Sequence, residues 1–94
     1  MLNYSSQGNQ PKLIAIAVTA ITGIVYTVPA GKRFVGQVVS NTTQINYIGI
    51  NGVNVLVNQS SAATSPPLQL DLPSGTVISI ASTTYNWTLL GSEQ

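Results

Sequence analysis

The chain has no cysteine and no histidine, and only five of its 94 residues carry charge: Lys12, Lys32, Arg33, Asp71 and Glu93. An average soluble domain is about 25% charged. Each shortage excludes a class of function. Without the thiolate and imidazole ligands, zinc, copper, haem and iron–sulfur sites have nothing to bind them. A hard-cation site needs several carboxylates or ordered carbonyls, and Asp71 and Glu93 are the only side-chain carboxylates. Hydroxyl nucleophiles abound, but no His is present to activate one. A Ser–Lys pair using Lys12 or Lys32 is the formal remnant. A two-carboxylate glycosidase would require Asp71 and Glu93 to meet across a cleft. No catalytic residue, metal or cofactor is therefore expected.

Three basic residues and a net charge of +1 leave almost no footprint for phosphate neutralisation, so nucleic acid is not expected as a partner. The eight glycines are scattered at turn-like places, not clustered into a phosphate loop. Disulfides cannot contribute to stability. A single domain of this size has a modest core, so the fold rests on packing or on assembly.

Residues 13–31 form the one long uncharged stretch, including Ile14, Ile16, Val18, Ile21, Ile24, Val25 and Val28. Its length and hydropathy approach those of a membrane span. Lys12 precedes it, and Val28-Pro29-Ala30 is like a weak signal cleavage site. Thr19, Thr22, Gly23 and Thr27 interrupt it, however, and its apolar residues are β-branched and alternate. The expectation is a pair of strands and no membrane.

What is abundant is Ser, Thr, Asn and Gln, 35 of the 94 residues, together with Val, Ile and Thr at 29. Residues 1–11 are polar and without period, with Leu2 and Tyr4 as the sizeable apolar groups. They read as an N-terminal arm, either a loose tail or a segment ordered by a neighbour through Leu2 and Tyr4. Residues 12–94 read as the folded domain.

After Pro11 the period is two. Leu13, Ala15 and Ala17 face one way and Ile14, Ile16 and Val18 the other. Both sets are apolar, which predicts a strand buried on both faces or covered by a neighbour. Further strands are expected over 24–28, 33–40, 45–50, 53–58, 68–72, 76–82 and 85–90. Asn51-Gly52 between two β-rich runs is the hairpin signal, because a type I′ turn needs positive φ at both central positions. Val53, Val55 and Val57 are expected on one face, with Asn54 and Asn58 opposite. Gly36 inside a strand marks a bulge or a close backbone approach. Pro66-Pro67 marks an edge or a crossing between sheets. Residues 91–94 read as a tail. No window has a helical period. An all-β fold follows, a single antiparallel sandwich of about eight short strands, jelly-roll-like.

Such a sandwich normally covers its outer faces and edges with charge. Five charges cannot do so, so the outer faces are covered either by Asn, Gln, Ser and Thr, as in a merely uncharged domain, or by other protein, as in an assembly component; the second reading is favoured. Trp87 and Tyr85 share one strand face and are either core, interface or a stacking platform for sugar. Lys32-Arg33, after a turn, are solvated charges or a dock for an acidic partner. Asp71 is an exposed strand position or a partner for one of those bases.

The order Tyr26-Thr27-Val28-Pro29-Ala30-Gly31-Lys32, Ser40-Asn41-Thr42, Ile50-Asn51-Gly52 and Leu72-Pro73-Ser74-Gly75-Thr76-Val77-Ile78 resembles small β-sandwich virion proteins of tailed bacteriophages, most of all capsid decoration (cement) proteins. The likeness spans roughly residues 24–80. It implies a structural protein without catalysis, made in the host cytoplasm and carried on the capsid exterior. There it would bind the major capsid protein, or another virion protein, as a homo-oligomer, with a trimer favoured. The alternative is a receptor- or glycan-binding tip of a tail or fibre. Leu2, Tyr4, Lys32, Arg33, Tyr85 and Trp87 are the candidate contact residues.

Overall fold

The computed structural model describes residues 11–42, 44–58 and 66–94. Eight strands cover most of them: β1 Lys12–Thr19, β2 Gly23–Thr27, β3 Phe34–Ser40, β4 Asn46–Ile50, β5 Val53–Asn58, β6 Leu68–Leu72, β7 Val77–Ile80 and β8 Asn86–Glu93. No helix occurs among the described residues. The strands form two antiparallel sheets, ordered β1-β8-β3-β6 and β2-β7-β4-β5. The first strand lies beside the last, the second beside the seventh, the third beside the sixth and the fourth beside the fifth. This is a long hairpin rolled into two layers, the order of a jelly roll.

Alternation builds the core. β1 sends Val18 inward, β3 Phe34 and Val38, β4 Ile48, β7 Ile78 and Ile80, and β8 Trp87 and Leu89; all of these are buried. Asn51 and Gly52 both have positive φ, 51° and 82°, as the type I′ hairpin requires. The chain crosses from β5 in one sheet to β6 in the other, and Pro66-Pro67 precede β6 at its sheet's edge. That satisfies both meanings of the proline pair.

Three expectations need correction. β1 is not buried on both faces by the rest of the chain: Leu13 is 82% exposed, and Ala15 and Ala17 are exposed as well. Residues 91–93 are strand, not tail. β8 pairs through to Glu93, and Arg33 and Gln94 exchange backbone hydrogen bonds of 2.9 and 2.7 Å beyond it. Finally, Asn58 does not face away from Val57. The β4–β5 register shifts between Asn46 and Tyr47, leaving Val57 unmatched, and a bulged residue lets both Val57 and Asn58 turn inward.

Gly36 serves a close approach. It pairs with Gly91 across β3 and β8. A Cβ on Gly36 would lie 2.1 Å from the Leu90 carbonyl oxygen, and one on Gly91 would lie 2.6 Å from Cζ of Phe34. The glycine pair thins the sheet and leaves room for the Phe34 ring beneath it.

Candidate interaction surface

The outer face of the β1-β8-β3-β6 sheet is built by the residues that alternate with the core positions. Strand registers set them in rows. Leu13 lies beside Ser92, then Val35, then Asp71. Ala15 lies beside Leu90, then Gln37, then Gln69, and Ala17 lies beside Thr88, then Val39. Small and apolar groups thus dominate the β1 side, and amides the β6 side. Leu13 and Leu90 are exposed. An open depression of about 490 Å³ lies between Leu90, Val35, Gln37, Gln69 and Asp71, over the paired glycines. The Gln69 amide donates to the Gln37 oxygen at 3.3 Å.

Charge is nearly absent from this face. Asp71 accepts from Arg33 Nε at 2.5 Å and from its second guanidinium nitrogen. These hydrogen bonds hold the Asp71 carboxyl below the usual carboxylate range. Both side chains are exposed, so Asp71 is at once a surface position and a partner for a base. Lys32 is exposed in the turn after β2, where its amide donates to the Pro29 carbonyl at 3.1 Å.

The expected contact residues that the structure describes do not come together. Leu2 and Tyr4 lie outside the described residues. Trp87 is in the core, fully buried, with its indole N–H donating to the Tyr47 carbonyl at 2.9 Å. A buried ring presents no platform to a sugar. Tyr85, half-buried, leans on Tyr47 with ring centroids 5.5 Å apart. It precedes β8, whereas Arg33 pairs with Gln94 beyond the other end of that strand. Lys32-Arg33 and Tyr85 therefore sit at opposite ends of the sandwich.

Sequence reasoning also missed the polar interior. Asn46 and Asn58 are buried and face each other across β4 and β5. The Asn46 amide donates to the Asn86 carbonyl at 2.6 Å and to Ser40 Oγ at 2.9 Å, and its oxygen accepts from the Asn86 amide at 2.9 Å. The Asn58 amide donates to the Thr42 and Gln44 carbonyls at 3.1 and 3.0 Å. These bonds fix the β3–β4 connection. At the other end, the Tyr26 hydroxyl donates to the Glu93 carboxylate at 2.6 Å, and Tyr26 packs edge-on to Phe34. Burial, then the Glu93 hydrogen bond and charge, push the Tyr26 hydroxyl well above its ordinary range. Both sets of contacts are internal and serve the fold.

Among the described residues, no three of His, Cys, Asp and Glu come together. No helix there is long and apolar enough to cross a membrane. No protein-family model, no curated protein and no solved structure matches this chain.

Proposed function

We propose that the protein is a non-catalytic structural component of a virion, a decoration protein that binds the outer surface of a phage capsid and stabilises the shell. The observation that carries this reading is the outer face of the β1-β8-β3-β6 sheet. Leu13, Ala15, Ala17, Val35, Val39 and Leu90 line it, and its one charge, Asp71, is already paired with Arg33. Interface centres are depleted in charge in this way. The jelly-roll order is shared by viral capsid and lectin domains. Burial of Trp87 removes the aromatic platform on which a glycan-binding tip would rest. The likeness of residues 24–80 to cement proteins supplies the capsid as partner and three copies as the association on the shell.

The test is to add purified protein to capsid shells that lack it. Saturable binding at a symmetric stoichiometry, with shells more resistant to heat, is the expected result. A protein that stays in the supernatant at every concentration would overturn the reading.

A further inference from the structure

A two-sheet sandwich has four edge strands, here β1, β2, β5 and β6. Proteins blunt such edges with bulges, charge, proline or short length. Three of the four are blunted. β2 has five residues and a register shift between Ile24 and Tyr26. β5 carries the bulge opposite Asn46 and Tyr47. β6 has five residues, follows Pro66-Pro67 and bears the Asp71–Arg33 pair. β1 carries such devices only at its start, where Pro11 precedes it and Lys12 opens it; from Leu13 to Thr19 it has none. It is eight residues long, pairs with β8 at every position without a register shift, and contains no proline. Its only charge is Lys12, at its first position. Beyond β1 the ladder is open among the described residues. Ile14 and Ile16 remain only half-buried on the inner side of that edge.

We propose that β1 is a pairing edge and that its occupant is β1 of a second copy of this chain, antiparallel, about a two-fold axis at Ile16. This deepens the assembly reading above and rests on it. One open edge per copy can pair only with its own kind, so edge pairing closes after two copies; a ring would need a second open edge. The β1 sequence is self-complementary in this register. With the outer face kept outward, only residues of like parity can oppose one another. Centring on Ile16 sets Ile16 against Ile16 of the second copy, Ile14 against its Val18, Ala15 against its Ala17, and Leu13 against its Thr19. Apolar inner groups meet apolar groups, and on the outer face alanine meets alanine, with Leu13 against uncharged Thr19. Lys12 falls outside the central pairs, so no like charges oppose each other. The result is one eight-stranded sheet whose outer face runs unbroken from Leu90 of one copy to Leu90 of the other. Three-fold contacts on a shell would use other surfaces.

The test uses the full chain and sedimentation equilibrium. The wild type is expected at the mass of an even number of copies. A15K/A17K opposes like charges across the two-fold while touching only exposed positions; it is expected to halve that mass and to melt as the wild type does when dilute. A15E/A17K opposes unlike charges in the same register and is expected to restore the mass. Because the chain has no cysteine, oxidised A15C/A17C gives an independent readout, a covalent dimer on a non-reducing gel. An odd-numbered wild type, an unchanged mass in A15K/A17K, no restoration in A15E/A17K or no cross-link would each overturn the pairing. Shell binding is scored separately. A monomer that saturates shells defeats the pairing alone, and a dimer that ignores them defeats the capsid reading alone.

Discussion

Trp87 fills the centre of the sandwich and satisfies its own indole N–H on the Tyr47 carbonyl across the sheets. Truncation would remove the largest buried side chain and leave that carbonyl without its donor. Trp87→Ala is expected to cost about 3–5 kcal/mol, the range for a large core aromatic, read as a lowered denaturant midpoint. An unchanged midpoint would place the ring outside the core. At this scale the sequence was legible in its types but not in its burials. Trp87 and Tyr85 alternate on one strand face, yet only Trp87 is enclosed, because Tyr85 lies just before β8 and rests on Tyr47. The buried Asn46 and Asn58 were illegible. Polar residues in a strand read as outward, and it takes the β5 bulge and the carbonyls of Thr42, Gln44 and Asn86 to give them an interior role.

Strands were legible wherever turn chemistry bounded them, as at Asn51-Gly52 between β4 and β5. The end of β8 was not. Gly91-Ser92 resembles the start of a tail, and only Gly36 opposite explains why a glycine belongs there. The two strands approach so closely that neither position admits a side chain. Gly91→Ala would set a methyl 2.5 Å from the Val35 carbonyl oxygen as well as against the Phe34 ring. A backbone oxygen cannot rotate away, so the strands must part. The expected loss is about 3 kcal/mol, the upper end of ordinary overpacking. Gly49→Ala is expected to cost less, because its nearest obstacle, at 2.3 Å, is the Ser79 hydroxyl, which can turn aside. Chemical denaturation of the two variants side by side checks the order, and equal losses would refute it.

For the molecule as a whole, the Tyr26–Glu93 hydrogen bond ties one sheet to the other. It also makes stability depend on alkaline pH. Below the ordinary tyrosine value of 10.0, the phenol keeps its proton both folded and unfolded, and pH does not act through it. Above that value the unfolded phenol ionises while the folded one, its pKa raised, holds its proton. The unfolded state then binds fewer protons, and stability falls by about 1.4 kcal/mol per pH unit. Tyr26→Phe is expected to be less stable near neutrality by about 1–3 kcal/mol, the cost of a buried group losing its partner. Its further loss above pH 10 should be shallower than that of the wild type. Urea titrations of both proteins across that range decide the matter, and parallel slopes would mean that the fold does not protect the phenol. Sandwich architecture was legible at this scale from strand spacing and the lack of helix formers. The exposed face of β1 was legible only in part, because two apolar faces on one strand do not distinguish burial within the chain from a face left open.

The rolled order has a consequence for how the chain comes into being. β8 lies between β1 and β3, so one sheet holds no continuous ladder until residues 86–93 are in place. On the ribosome, β1 is made early and its ladder partner late. Through most of synthesis its valine and isoleucines have neither a paired neighbour nor a finished core beneath them. Slow, long-range closure of this kind exposes a nascent chain to stray pairing. β1, whose residues 13–19 carry no bulge, proline or charge, is therefore the segment most open to such pairing while the chain is being made.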